Sequence, residues 1–596
     1  MDRNTVIGFI LIALVLLVWM WTNAPPPPQK LTSGSDSLGG RIHVKADTSM
    51  MAAVSPLMPV AAEDSLGKFF SSLSKGQEKF LTIETDNYRA VISTKGGQIR
   101  RWILKHYKTW DQNPVDLLND DKRGDFNLLF YTADGKLINT KNLCFESKFG
   151  DGQIVQLTEK DSAQVDLIMK VDNQSHIVKR LTFYNSSYSF DAMYLLEGMQ
   201  NIIANYEYQV TWETGLRYPE HNSIDESKYA MAYAFAGGEL TDIDAANPNT
   251  IVKNNISGKI NWVAARNKYF AVSLIPKESE TQGAYLEGNQ AILPHQGAKE
   301  DYSIALKMPF LGKPVEKVHL IVFLGPLDFS LVKSYHVELE RIISLGAAWI
   351  IRPISEYVII PLFQVLRLLI PNYGFILIIF SFIIKIVLHP LTKRSMRSTQ
   401  RMQALQPLMN EIKEKYKDDP QKMNQQIMRL YKEYGVNPAG GCLPMLLQLP
   451  ILYALWAVFS STIELRQASF IWWIHDLSVP DVITKLPFRI PIFGVDEISG
   501  LALLMGITMF VQQKMSVKDP RQKMMVWLMP IMLTLLFNSF PAGLNLYYLV
   551  FNLLSIAQQA WILKQHKDEP LRKVEPQKKT GGFLRRLTKD LPQLKR

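Results

Sequence analysis

The residue with the clearest chemical implication is a lysine inside an apolar segment. Residues 373–391 are apolar except for Ser381, Lys385 and His389. In a helix that rises 1.5 Å per residue, Lys385 lies about 10 Å from the end near residue 392. A charge at the centre of a membrane-spanning helix costs about 2.5–3.5 kcal/mol on insertion scales, so it normally faces water or a partner. The alternative is that the long side chain reaches the lipid headgroups.

Other polar residues occur on the same side of that helix. At 100° per residue, four positions fall within about 80° of one another: Gly374, Ser381, Lys385 and His389. A later apolar segment has a similar stripe, formed by Asn545, Tyr548, Asn552, Ser555 and Gln559. Two further segments contribute Gln448, Thr508 and Gln512. Stripes on several helices predict a shared hydrated cavity, whereas each amide singly is also compatible with a helix-to-helix hydrogen bond.

Covalent catalysis and metal binding have few candidates in this sequence. The chain has 2 Cys and 10 His. Two cysteines are too few for a disulfide scaffold or a cysteine-rich zinc site. The sequence also contains neither a HExxH nor a CxxC motif. Between residues 80 and 328, no carboxylate pair, Ser/His/Asp order or Gly-rich phosphate loop stands out. We therefore predict no catalytic residue, no metal site, no cofactor and no enzymatic activity.

Six apolar segments predict a membrane protein. The chain has 596 residues, of which 47% are hydrophobic and 20% charged. Spanning about 30 Å of hydrocarbon takes roughly 20 apolar residues. The predicted spans are 1–23, 373–392, 441–463, 500–513, 526–540 and 544–563. The first could instead be a cleaved signal peptide, but four prolines from Pro25 to Pro28 follow it, and a proline after the cleavage site blocks the peptidase.

The positions of Lys and Arg orient these spans, because cytoplasmic loops carry an excess of both. Residues 393–435 have ten basic and five acidic residues, 514–525 have four and one, and the tail 564–596 has eleven and four. Residues 464–499 have only three basic and five acidic residues. The basic segments are therefore expected in the cytoplasm, together with both termini.

The long region between the first two spans is expected on the opposite side of the membrane. Residues 24–78 are rich in Pro, Ser and Gly and predict a flexible linker. Residues 79–337 contain short alternating runs such as SHIVKRLTFY and predict an antiparallel β-sandwich. Residues 338–372 predict an interfacial amphipathic helix, with a seventh span as the alternative. Its helically spaced apolar positions are Val358, Leu362, Val365, Leu366 and Leu369.

Residues 393–435 predict a cytoplasmic helical hairpin. Apolar residues recur at steps of three and four on either side of Asp418-Asp419-Pro420. Methionine packs well in a core and also suits a surface that adapts to many apolar partners. Both roles remain open for four residues of this pattern: Met402, Met409, Met423 and Ile427.

Several long motifs together resemble the YidC membrane protein insertase family. They are FSFIIKIVLHPLTK, MQALQPLMNEIKEKYKDD, LYKEYGVNPAGGCLPMLLQLPILYALW, ELRQASFIWWIHDLS and FPAGLNLYYLVFN, and they are dense over 370–565. The resemblance implies the Gram-negative form, in the bacterial inner membrane. It also implies a five-helix core around a hydrophilic groove that is open to the cytoplasm and to lipid. The groove charge of the family is usually Arg and falls on Lys385 here, while Ser381 and Gln448 fall on other groove positions.

The sequence thus predicts a polytopic α-helical insertase and chaperone of six transmembrane helices with a periplasmic β-sandwich. It acts alone or with the Sec translocon, and its expected partners are nascent membrane proteins, the lipid bilayer and, through the basic tail, the ribosome. The predicted client-binding groove is formed by Lys385, Ser381, His389, Gln448, Thr508, Gln512, Tyr548 and Asn552. One alternative is a small-solute transporter, although no inverted repeat is visible. Another is a membrane-tethered periplasmic carbohydrate-binding protein or enzyme, and the enzyme needs paired carboxylates.

Overall fold

A computed structural model describes residues 66–118, 124–248, 250–294, 297–436, 443–490, 493–516 and 523–565, without the side chains of 443–447, 523 and 525. The predicted anchor 1–23, residues 24–65 of the linker and residues 566–596 of the tail lie outside the described residues. The chain divides into two compact units. One comprises the described residues from 66 to 343, and the other comprises those from 344 to 565.

The first unit is built mainly of β-strands. Its first ten are β1 Phe80–Glu84, β2 Tyr88–Ser93, β3 Gln98–Lys108, β4 Pro114–Asp116, β5 Asn127–Thr132, β6 Leu137–Asn139, β7 Gln153–Gln156, β8 Ser162–Lys170, β9 His176–Tyr184 and β10 Ser189–Glu197. The others are β11 Ile203–Trp212, β12 Met231–Ala236, β13 Glu239–Ile243, β14 Val252–Ser257, β15 Ile260–Arg266, β16 Phe270–Pro276, β17 Gly283–Leu293, β18 Gly297–Pro309 and β19 Val315–Pro326. Three short helices complete it: α1 Gly67–Phe70, α2 Ser223–Ser227 and α3 Phe329–Lys333.

These strands form three sheets. Their orders are β4-β3-β2-β1-β7, β13-β12-β15-β16-β19-β10-β9-β8 and β14-β17-β18-β11-β5-β6. Strands β12 and β15 of the eight-stranded sheet contact β17 and β18 of the six-stranded sheet, so these two sheets pack on each other. The ladders are antiparallel, as predicted, except that β1 and β7 pair in parallel.

Alternation of side chains explains how these strands bury a core. In β10, Phe190, Ala192, Tyr194 and Leu196 are buried, because every second side chain of a strand points to the same face. Trp102 of β3 is fully buried and stacks on Tyr88 of β2, with ring centroids 4.0 Å apart. The predicted β-rich domain is therefore confirmed in its class.

Both predicted boundaries of this domain need correction. Part of the predicted linker is folded, since Phe70 of α1 is fully buried and packs edge-on against Phe130 of β5 at 5.6 Å. At the other end, the 3₁₀ turn Leu339–Ile342 is buried rather than interfacial. The Ile342 carbonyl accepts a hydrogen bond from Arg266 at 2.6 Å. Composition alone missed these segments because a few buried side chains hold each of them.

The second unit is mainly helical. Its helices are α4 Ile351–Ile354, α5 Ile360–Leu369, α6 Tyr373–Ala404, α7 Gln406–Lys415, α8 Pro420–Glu433, α9 Leu443–Ser461, α10 Gly500–Ser516, α11 Lys523–Phe537 and α12 Ala542–Gln565. It also contains the hairpin of β20 Val482–Ile490 and β21 Val495–Ser499. Among the described residues, two helices are long and apolar enough to cross a membrane: α6 with 32 residues and α12 with 24.

Helix α6 differs from the predicted span because it continues from residue 392 to Ala404. Pro390 lies inside it and removes one backbone donor. The missing donor is the one that would bond the Ile386 carbonyl, and further along the helix the Thr392 hydroxyl donates to the Leu388 carbonyl at 2.6 Å. The predicted span and the start of the predicted hairpin are therefore one continuous helix.

Helices α4 and α5 flank a π-turn, Ser355–Ile359, within the region predicted to be an amphipathic helix. Pro361 follows this turn and has no N–H to donate, which explains a local change in the helical ladder. The apolar positions of this region divide between the protein interior and its surface. Phe363 and Leu366 are buried, whereas 58% of Val365 and 78% of Leu369 are exposed.

Helices α7 and α8, with the end of α6, pack together within residues 393–436, the region that the sequence predicts to be a cytoplasmic hairpin. Their hydrophobic cluster consists of Leu405, Met409, Leu430, Tyr431 and Val436. Met402 and Ile427 are partly buried and pack against this cluster. The Tyr431 hydroxyl also contacts the Met409 sulfur at 3.3 Å. The apolar residues that recur along both helices thus form a small core that joins them.

Candidate functional site

Lys385 lies at the contact between α6 and α12. Its side chain is nearly buried, with 8% exposure. The ammonium donates a hydrogen bond to the Ser555 hydroxyl at 2.7 Å and lies 4.6 Å from the centre of the Phe551 ring. Lysine has three N–H donors, so one hydroxyl and one ring face satisfy only part of its bonding capacity. Within the described residues, no carboxylate forms an ion pair with Lys385.

A second polar pair lies one helical turn further along the same two helices. The Gln558 amide and His389 Nδ1 are 2.8 Å apart. Ser381, one turn to the other side of Lys385, is fully buried and donates to the Leu377 carbonyl of its own helix at 2.8 Å. The polar side of α6 therefore faces α12, and the pairs follow the periodicity of the helix.

Helix α10 brings further polar groups to α12. The Asn552 amide donates to the Thr508 hydroxyl at 3.3 Å, and the Gln559 amide donates to the Ser516 hydroxyl at 3.1 Å. Gln403 of α6 donates to the Ser516 carbonyl at 2.5 Å. Helix α12 is therefore bonded to α6 on one side and to α10 on another, which produces a continuous polar seam.

The remaining predicted groove residues contribute differently. The Gln448 side chain of α9 interacts with the Tyr548 hydroxyl of α12. Gln512 participates through its backbone carbonyl, which accepts from the Ser516 hydroxyl at 2.9 Å. Three of the predicted residues bond to α12, namely Lys385, His389 and Thr508, and Asn552 belongs to that helix. Ser381 bonds within its own helix.

Three polar residues of the seam were not singled out from the sequence: Gln403, Ser516 and Gln558. Gln558 lies about 60° from Ser555 at 100° per residue, just beyond the predicted stripe. A wider stripe would have included it. Gln403 and Ser516 lie near the ends of their helices, where a polar residue is common and carries little signal.

At the other end of α10, a buried carboxylate supports the helix. Ser499 is the N-cap, since its hydroxyl accepts from the Ala502 N–H at 3.1 Å. Asp481 accepts from the Leu501 N–H at 2.7 Å, the Ser499 hydroxyl at 2.5 Å and Trp473 Nε1 at 2.9 Å. A negative charge also stabilises a helix N-terminus through the helix dipole. Asp481 thus positions the start of the helix that carries Thr508.

We expect Asp481→Ala to destabilise the start of α10. Loss of a capping carboxylate costs about 0.5–2 kcal/mol, and each buried donor left without a partner costs about 1–3 kcal/mol. Amide hydrogen exchange at residues 500–504 should accelerate at least tenfold in the purified protein. The matched control is Asp476→Ala, because within the described residues Asp476 accepts hydrogen bonds from nearby Ser478 alone. Equal exchange in the two variants would contradict this role of Asp481.

The four predicted hairpin residues occupy two kinds of position. Met409 is buried in the cluster, and Met402 and Ile427 pack against it. Met423 is half-buried, near the start of α8. Met428 of α8, which lies outside the predicted apolar pattern, is 49% exposed. Met428 is therefore accessible to an apolar partner, whereas Met409 is enclosed in the hairpin cluster.

Comparison with known proteins covers almost the whole chain. The sequence profile of the family described as "60Kd inner membrane protein" matches residues 365–569, and that described as "YidC periplasmic domain" matches 81–356. A protein of Chlorobaculum tepidum named "Membrane protein insertase YidC" is 40% identical over 576 residues, which cover 96% of each chain. A protein of Chlorobium luteolum with the same name is 38% identical over 594 residues, which cover 98% of this chain and 100% of the other.

A solved structure gives a further similarity. It is titled "Active YidC insertase crystal structure with the first transmembrane domain resolved", is 19% identical, and covers 82% of this chain and 96% of that chain with a TM-score of 0.35. Membership rests on the two profiles and the full-length relatives, which join a β-rich periplasmic domain to a helical membrane region. This chain belongs to the YidC membrane protein insertase family.

Proposed function

We propose that this insertase moves client transmembrane segments from the cytoplasm into the inner membrane along the polar seam of α6, α10 and α12. The observation that carries the proposal is Lys385. A cation in a spanning helix is costly unless it faces water or a partner, and within the described residues Lys385 has a hydroxyl and a ring face as partners but no carboxylate. The ammonium therefore keeps hydrogen-bonding capacity for an incoming acidic group.

The polar seam lowers the free-energy barrier to moving the polar end of a client through the hydrocarbon layer. The Thr508 hydroxyl and the Asn552 amide can exchange their mutual bond for bonds to a client or to water, because this pair joins neutral groups. The membrane potential, outside positive, favours outward movement of each negative charge by about 2.3 kcal/mol per 100 mV. The apolar client helix then leaves sideways, because its side chains partition into lipid.

No covalent step is needed for this transfer. The free energy comes from partitioning of the client, from the membrane potential and from the ribosome that extends the chain. Lys385 acts as a temporary counter-charge, and Ser555 and Phe551 position its ammonium. The side chains of the seam thus provide binding sites along a path rather than a catalytic centre.

The proposed topology has six spans with both termini in the cytoplasm. Helices α6 and α12 support two of these spans by length and composition, and α9, α10 and α11 are the shorter candidates. Small residues allow the shorter helices to pack closely, since a Cβ on Gly506 of α10 would clash with the Thr534 hydroxyl of α11. The basic loops and tail support the orientation.

The hairpin and the basic tail are proposed to meet clients before the seam does. Met428 provides an exposed apolar contact on α8, while Met409 and Ile427 hold the hairpin together. The eleven Lys and Arg of residues 564–596 are suited to ribosomal RNA, whose phosphates attract basic side chains. The Sec translocon is proposed as a second partner, with which the same seam receives segments during cotranslational export.

Photo-crosslinking tests the path directly. A benzophenone amino acid at Thr508, which contacts Asn552 in the seam, should crosslink a stalled nascent client. Ile507 is the matched control, because it is the adjacent residue on α10 and is 60% exposed on another face. We expect several-fold more client adduct from position 508 than from position 507. Equal or greater yield from position 507 would overturn the proposed path.

A further inference from the structure

The hairpin of β20 and β21 is an exposed element that the insertase seam does not use. Its two strands form a sheet of their own, and an isolated two-stranded hairpin is at best marginally stable in water. Strand β21 ends at Ser499, and α10 begins at the next residue, Gly500. The hairpin is therefore continuous with one end of a proposed span.

Several exposed side chains of this hairpin are apolar. Phe488 is 63% exposed, Ile483 is 49% exposed and Val482 is 39% exposed. Lys485 is also exposed and pairs with Glu497 at 2.8 Å. The ladder shifts its register between Lys485 and Ile490, so Phe488 lies in an irregular segment beyond the charged pair. The hairpin thus combines exposed apolar side chains with a charged pair.

Two tryptophans adjoin the base of the hairpin. Trp472 and Trp473 stack with ring centroids 5.8 Å apart, and 78% of Trp472 is exposed. A Cβ on Gly500 would lie 2.9 Å from Trp473 Nε1 and 3.0 Å from Ile483. The tryptophans, the hairpin and the start of α10 therefore form one cluster. Tryptophan is enriched where a membrane meets water, because its ring is apolar and its N–H is polar.

We propose that residues 471–490 and 493–499 are a lipid-binding element, with Phe488 and Trp472 inserted at the headgroup level of the leaflet where α10 begins. The partner is the bilayer, because the apolar surface continues onto the exposed side of α10, at Leu503, Leu504 and Ile507. The element fixes the depth of α10, and so of Thr508 in the seam. This inference rests on the proposed span α10, but not on the path that a client takes.

Spin-label depth measurements test this inference in the full-length protein in liposomes. Cys144 and Cys442, the two native cysteines, are replaced by serine. Nitroxides are then attached to single cysteines in Phe488→Cys, Lys485→Cys and Leu553→Cys. The last reports on α12, where Leu553 is 50% exposed. We expect the ratio of oxygen to nickel-chelate accessibility at position 488 to exceed that at 485 at least threefold, with position 553 deeper still.

The outcomes distinguish failure of the proposed membrane topology from failure of the lipid contact. A label at 553 that the nickel chelate reaches would refute the proposed membrane core itself. A deep label at 553 together with equal ratios at 488 and 485 would overturn the lipid contact alone. A label at 488 shielded from both reagents would show a protein partner instead, and would also overturn it. Trp472→Cys provides a second site with the same expectation as 488.

Discussion

Lys385→Glu is expected to reduce insertion of clients with acidic translocated tails by at least about tenfold, whereas Lys385→Arg is expected to retain most of it. Two unit charges 6 Å apart interact by about 2.8 kcal/mol at an effective dielectric constant of 20. The glutamate turns this attraction into repulsion, and every 1.4 kcal/mol corresponds to a factor of ten. Protease protection of a radiolabelled client in reconstituted liposomes measures the effect at matched protein levels.

The client supplies the control for this experiment. A client whose tail carries no acidic residue should lose much less insertion with Lys385→Glu, because only the hydration of the seam changes. Lys385→Arg keeps the charge but alters the geometry, since arginine offers a planar fork in place of a compact ammonium. Equal insertion of the acidic client by the two variants would contradict the counter-charge role of Lys385.

Ile427→Pro is expected to abolish most insertion while the membrane helices remain folded. Ile427 lies in the middle of the 14-residue helix α8 and packs against the hairpin cluster. Proline in a helix interior costs about 3 kcal/mol or more, because it removes a hydrogen bond and clashes with the preceding turn. That loss should unfold α8 and expose the cluster around Met409. Client insertion and limited proteolysis of residues 393–435 measure the two consequences.

A second proline variant serves as the control, because it introduces proline into α8 without breaking the helix. Gln421 lies in the first turn of α8, directly after Pro420, and the first turn tolerates proline because its N–H groups lack helical partners. Gln421→Pro should therefore insert clients normally. If a stably expressed Ile427→Pro protein inserts clients as well as Gln421→Pro does, the hairpin has no role in insertion.

The polar stripes were predictable from the sequence, because the phase of a helix follows from its 3.6-residue period. Helical spacing placed Lys385 and His389 on one side of α6, and Asn552 and Ser555 on one side of α12. Spacing also predicted the hairpin seam and the β-rich domain. Period and burial cost are properties of each segment, so they can be evaluated without knowledge of its neighbours.

Only the tertiary structure decided which stripes meet. Lys385 and Ser555 are 170 residues apart in sequence, and several helices with polar faces could have supplied the partner. The pairing of His389 with Gln558, and the support of α10 by Asp481, depend likewise on packing between distant segments. Helical phase, as the sequence determines it, indicates the side of a helix that avoids lipid. The neighbour on that side depends on how all the helices pack together, because packing and hydrogen bonds drive helix association in a membrane.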